Sequence, residues 1–160
     1  MSWYRVALIL PLLVTACGFH IRGVANFPPE ISVIYIETQN RHSEFYQALV
    51  TEIRDSKLTL TDDPIRADTV IRILSDVTGR RTLSVSARNV PTEYELFYTI
   101  NYAVSINGKE VLPPKQHILT RNYTFDETLV LGKQWEEAGL RKAVAADLVG
   151  MVVQNIGAVN

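Results

Sequence analysis

Apolar and polar residues alternate most regularly between residues 94 and 106. Tyr94, Leu96, Tyr98, Ile100, Tyr102, Val104 and Ile106 take every second position, with Glu93, Glu95, Phe97, Thr99, Asn101, Ala103 and Ser105 between them. A period of two predicts a long strand packed on one face and mostly polar on the other. Asn107-Gly108 follows, the preferred pair for a two-residue type I′ hairpin. Residues 110–125 are therefore its antiparallel return strand, in which Pro113-Pro114 mark an irregularity or an edge. Upstream, residues 31–36 are mostly apolar and β-branched and predict a first strand. Tyr46, Leu49, Val50 and Ile53 then recur at helical spacing behind Ser43 as N-cap, with Glu44, Glu52, Arg54 and Asp55 on the other face. Residues 57–60 read as a short extended piece, and Thr61-Asp62-Asp63-Pro64 as a turn. Residues 68–77 predict a second strand carrying Val70, Ile71, Ile73 and Leu74. Gly79-Arg80-Arg81 is a candidate turn, after which residues 82–87 alternate and can extend the pairing up to a loop at residues 88–91. The last helical region opens at Asp126-Glu127-Thr128 and runs to about residue 156. Its apolar stripe is Ala138, Ala145, Val149, Val152 and Ile156, Gly132 and Gly139 weaken its first turns, and Gly157 is its stop.

A helix between the first two strands implies a right-handed parallel crossover, whereas Asn107-Gly108 demands an antiparallel pair. The fold class that satisfies both is α+β, a two-layer sandwich with two helices packed on one face of a mostly four-stranded mixed sheet.

The N-terminus has a different pattern. Arg5 precedes a run rich in apolar residues at positions 6–14, then Thr15-Ala16-Cys17-Gly18. A basic residue, a short apolar core and small residues before the break are the anatomy of a signal peptide. The run is shorter than the ~20 residues that span a bilayer. Val14-Thr15-Ala16-Cys17 resembles a bacterial lipobox, in which lipid is attached to the Cys thiol and cleavage falls just before it. Cys17 is the only cysteine, so it has no intramolecular partner, and acylation accounts for it. The alternative is an ordinary signal peptide that leaves a free thiol. On the lipobox reading, residues 1–16 are a cleaved signal peptide, residues 17–30 a lipidated cysteine and tether, and residues 31–160 a single α+β domain. Two or more acyl chains anchor stably, and the absence of Asp after the cysteine favours the outer membrane.

Composition narrows the function classes. A hydrophobic content of 47% belongs to a globular domain, not a disordered one. The formal net charge is −1, and cleavage would remove the positive Arg5, so no global basic field points to nucleic acid. His20, His42 and His117 have no metal-ligand spacing, and no nucleophile elbow, P-loop or dinucleotide fingerprint is present. Adjacent Glu136-Glu137 cannot converge on one helix face as an acid/base pair and read as a solvated face. Neither a catalytic constellation, a metal site nor a cofactor is expected. One charge feature stands apart. Residues 77–92 carry Arg80, Arg81 and Arg88 and no acid, so a hairpin there would gather guanidinium groups at one end of the sheet, with Lys133 at the same end. Arginine forks suit phosphate and carboxylate groups. Loop arginines kept for solubility are the other reading.

Four segments occur in one order: Cys17-Gly18-Phe19-His20-Ile21-Arg22-Gly23, Val33-Ile34-Tyr35-Ile36, Arg88-Asn89-Val90-Pro91-Thr92-Glu93-Tyr94-Glu95-Leu96 and Arg121-Asn122-Tyr123-Thr124-Phe125-Asp126. Together they resemble the lipopolysaccharide-assembly lipoprotein family LptE across nearly the whole mature chain. The resemblance implies two helices on a four-stranded mixed sheet, a non-enzymatic role and a partner, the outer-membrane β-barrel LptD, whose lumen the family plugs. It also implies lipopolysaccharide binding through basic residues, which it carries onto Arg88 and Lys133 but not onto Arg80 or Arg81. A different outer-membrane lipoprotein, acting as scaffold or small-ligand binder, is the other function the residues fit.

Overall fold

A computed structural model describes residues 27–159 of the chain. The elements run β1 (Val33–Glu37), α1 (Glu44–Asp55), β2 (Thr59–Leu60), β3 (Thr69–Val85), β4 (Pro91–Ile106), β5 (Lys109–Thr124) and α2 (Val130–Gly157). Short 3-10 turns at Pro64–Arg66 and Glu127–Leu129 lead into β3 and α2. The sheet is mixed, with order β2-β1-β3-β4-β5. β1 lies parallel to both β2 and β3, and β3, β4 and β5 are antiparallel. It has five strands instead of four because the extended piece at residues 57–60 contributes two of its residues, Thr59 and Leu60, as an edge strand beside β1. The class is the expected α+β sandwich with both helices on one sheet face. The Tyr98 hydroxyl accepts the Phe45 N–H of α1 at 3.1 Å, and the Tyr102 hydroxyl accepts the Asn155 amide of α2 at 3.1 Å, from the same side of β4.

Local chemistry explains most of the boundaries. The Ser43 hydroxyl accepts the Tyr46 N–H and caps α1. Asn107 (φ 51°) and Gly108 (φ 77°) adopt the two left-handed positions of a type I′ turn, pairing Ile106 with Lys109. Pro113-Pro114 fall at a register shift on β5, an edge strand, where their missing N–H groups cost no ladder bond.

Two features depart from the expected pattern. Gly79-Arg80-Arg81 do not turn: β3 runs straight through them for 17 residues, and the chain reverses only at residues 86–90. At Gly79 a Cβ would lie 2.7 Å from the Phe97 ring, so the missing side chain makes room for an aromatic from β4, not for a bend. The second departure is a bulge between Ile73 and Ser75. Before it, Ile71 and Ile73 face the helices. Beyond it the parity reverses, so Asp76, Thr78 and Arg80 share the helix side with Ile100, Tyr98 and Leu96, their partners on β4.

The core lies between the sheet and the helices. Ile34, Ile36, Ile71, Leu96, Tyr98, Ile100, Tyr102 and Val104 meet Phe45, Leu49 and Ile53 of α1 and Val144, Leu148, Val152 and Ile156 of α2. Only the second half of α2 packs deeply. Ala138 is exposed, and full burial begins at Val144. Among the described residues no helix is long and apolar enough to cross a membrane.

Candidate functional site

The long hairpin β3–β4 and the start of α2 meet at the end of the sheet farthest from β1. Ser86 accepts and donates backbone hydrogen bonds with Asn89 and Val90, and Asn89 (φ 60°) supplies the left-handed position that closes the loop. Phe125 N–H bonds Thr92 O at 2.8 Å and draws the end of β5 against the start of β4. The Asp126 carboxylate then accepts the Thr128 N–H at 2.9 Å and starts the turn into α2.

These three pieces enclose a cleft of about 440 Å³. Arg88 comes from the β3–β4 loop and Lys133 from the first turn of α2, while Val90, Pro91, Phe125 and Leu129 supply apolar wall and Asp126 its carboxylate. Hydrogen bonds from the Thr128 hydroxyl and N–H, with Lys133 nearby, hold the Asp126 carboxyl below its ordinary value against the effect of burial. Lys133 Nζ donates to Glu136 at 2.7 Å. Two cations beside apolar walls match an anionic amphiphile.

The four basic candidates therefore separate. The structure brings Arg88 and Lys133 into one cleft but keeps Arg80 and Arg81 out of it. Arg80 and Arg81 also part from each other, because adjacent residues on a strand point to opposite faces, and the bulge on β3 decides which of them takes the helix side. Arg81 lies on the helix-free face in a forked pair with Glu95, its Nη2 2.9 Å from both carboxylate oxygens. Arg80 points to the helix side, where its guanidinium donates to Glu137 of α2, approaches the Tyr123 hydroxyl at 3.5 Å and lies 4.6 Å over the Tyr94 ring.

Glu137 is not on a solvated face. Its side chain is 13% exposed and is shared by Arg80, Arg141 (2.7 Å) and the Tyr123 hydroxyl (2.7 Å). Burial pushes its carboxyl up, but the hydrogen bonds from Tyr123, Arg80 and Arg141 and the Arg80 charge outweigh that and hold it below the ordinary 4.5. Tyr94, stacked on Tyr123 and edge-on to Phe125, completes the cluster. Sequence reasoning missed Glu137, Tyr123 and Tyr94 as site-supporting residues. The available signal was Glu137 at i+4 from Lys133 and i−4 from Arg141, with two tyrosines in register on the hairpin.

A larger groove of about 1100 Å³ runs along α1 and α2. Glu44, Glu52, Asp55 and Asp147 line it against Lys142 alone, the wrong sign for a phosphate. Of the histidines, His20 lies outside the described residues, as does Cys17. His42 is exposed, and His117 stacks on Tyr102 beside Asn155. Among the described residues no three His, Cys, Asp or Glu side chains gather as metal ligands.

Fold and site together define a two-layer α+β sandwich with a cationic, partly apolar cleft at one end of its hairpin. The sequence model of the lipopolysaccharide-assembly family LptE matches residues 31–156, and the chain belongs to that family. It is 29% identical over 158 residues to the LPS-assembly lipoprotein LptE of Yersinia enterocolitica, covering 96% of this chain and 76% of that protein. Its identity to the LptE of Pectobacterium atrosepticum is 24% over 159 residues, covering 98% and 86% of the two chains. Among solved structures, the rare lipoprotein B of Shewanella oneidensis superposes with a TM-score of 0.66 at 24% identity, covering 78% of this chain and 93% of its own. A lipoprotein B from Nitrosomonas europaea gives 0.70 at 24% identity, covering 88% and 91%. These two likenesses bear on the fold.

Proposed function

We propose that this protein is a lipid-anchored outer-membrane component of lipopolysaccharide assembly that plugs the LptD β-barrel, assists its assembly and helps carry lipopolysaccharide to the cell surface. Family membership over residues 31–156 carries the assembly role. The placement of Arg88 and Lys133 in one cleft with Phe125 and Leu129 carries the ligand. Lipopolysaccharide combines phosphate groups with acyl chains, and the cleft offers a guanidinium, an ammonium and apolar walls to match. In this reading residues 1–16 are removed, Cys17 bears the lipid, residues 17–30 tether the domain on the periplasmic side, and residues 31–160 enter the barrel. A compact sandwich with a polar outer surface suits the polar lumen of a large barrel. The role is non-enzymatic, without cofactor or nucleic acid.

Two experiments test this. Co-purification from outer membranes should yield a stable complex with a large barrel protein, and purification without one would overturn the partner. Arg88→Glu with Lys133→Glu removes two charge-assisted contacts worth about 1.5–3 kcal/mol each. Lipopolysaccharide affinity should fall by about 100-fold or more, with the circular-dichroism spectrum unchanged. Unaltered affinity would remove the site assignment and leave the partner standing.

A further inference from the structure

The first half of α2 has little apolar reason to stay where it is. Its fully buried side chains begin at Val144, and upstream of that only Leu140 is partly buried against the core. Leu131 and Trp135 are 74% and 80% exposed, and Gly132 and Gly139 lower the local helix propensity. Yet this half carries Lys133, which must face Arg88 across the cleft. What ties it to the sheet is polar. Glu137, one turn beyond Lys133, takes hydrogen bonds from Arg80 of β3 and Tyr123 of β5 and from Arg141 one turn further on. Tyr94 backs the Arg80 guanidinium and packs edge-on to Phe125 of the cleft wall.

We infer that Arg80, Tyr123 and Glu137 form a latch that positions the first half of α2 and thereby sets Lys133 against Arg88. The latch residues act through Lys133 and make no contact with ligand themselves. A shared carboxylate between two guanidinium groups, mostly withdrawn from water, is worth more than an exposed pair, because removing one member leaves the others uncompensated. This inference rests on the reading of the Arg88–Lys133 cleft as the lipopolysaccharide site.

The sign of the charge change separates positioning from simple electrostatics. Glu137→Gln makes the region more positive, so a purely Coulombic site would bind lipopolysaccharide more tightly. A latch predicts weaker binding instead. Tyr123→Phe keeps the ring stack and changes no charge, but removes the hydroxyl that donates to Glu137 beside Arg80. Both variants are measured in the full-length protein by hydrogen–deuterium exchange without ligand, and by binding of fluorophore-labelled purified lipopolysaccharide. The expected result is roughly tenfold faster exchange of amides 130–143, intact protection of amides 144–156, and roughly tenfold weaker binding in each variant. Unchanged exchange of amides 130–143, or binding by Glu137→Gln as tight as or tighter than the parent, overturns the latch. If Arg88→Gln with Lys133→Gln leaves binding unaltered, the cleft reading fails, and the exchange measurement alone then decides whether the latch holds α2.

Discussion

Tyr98 is wholly buried, and its hydroxyl takes the Phe45 N–H in the first turn of α1, a donor with no intrahelical partner. Burial, then the hydrogen bond to Asp76 and its charge, push this phenol well above its ordinary value of 10.0. Burial also raises Tyr102, and burial followed by the Glu137 hydrogen bond raises Tyr123. A raised folded-state value contributes stability that is complete below the unfolded value. Above pH ~10 the unfolded chain releases phenolic protons that the folded chain retains, so stability falls as pH rises. Urea unfolding between about pH 8 and pH 11 should show this decline. Tyr98→Phe should make it shallower while costing about 1–3 kcal/mol at neutral pH, because the Phe45 N–H loses its acceptor. A decline of undiminished slope in Tyr98→Phe would show that another group governs the alkaline limb. At this scale the sequence was a partial guide. The alternation of β4 placed Tyr98 on the buried face, but nothing local announced that Asp76, beyond a bulge, would share it.

The two halves of α2 differ in what holds them, and mutation should separate them. Leu148, fully buried in the second half, should cost about 2–5 kcal/mol when replaced by Ala. Trp135→Ala in the first half removes a far larger side chain, yet should change stability by no more than about 0.5 kcal/mol, because that ring lies almost wholly in solvent. Denaturant midpoints check both, and comparable losses would mean that the first half packs more tightly than its exposure indicates. Elements specified by neighbouring residues were legible from the sequence: the Ser43 cap, the β4 alternation and the Asn107-Gly108 turn all hold. Elements decided by distant strands were not. β2 exists because β1 offers it an edge, Gly79 stays extended because Phe97 crosses it, and Glu137 is withdrawn from water by residues 57 and 14 positions away. The candidate site followed the same rule. Arg88 and Lys133 share a cleft as their loop and helix positions allowed, whereas strand alternation put Arg80 and Arg81 on opposite faces and a distant bulge decided which of them faces the helices.

Across the whole molecule, the described chain enters at one end and presents the cleft at the other. Ser32 and Val33 N–H groups both bond the Asp68 carboxylate at 2.9 Å, which fixes the entry beside the start of β3. The cleft lies beyond the far end of that strand. Seventeen residues at ~3.3 Å each separate the two ends by roughly 50 Å. If lipid is attached at Cys17, the segment from there to Phe27 reaches at most ~36 Å when fully extended. The polypeptide alone therefore cannot bring Cys17 to its own cleft, and two or more acyl chains stay in the bilayer or micelle that anchors them, so anchorage and ligand binding should be energetically independent. Cys17→Ala, behind a signal peptide that is still cleaved, should move the protein from the membrane to the soluble fraction when it is produced without its barrel partner. It should leave lipopolysaccharide affinity in detergent within about twofold of the lipidated form, well under the 1.4 kcal/mol that a tenfold change represents. Markedly tighter binding by the unlipidated variant would mean that the acyl chains leave the detergent, bridge the remaining distance and compete for the cleft.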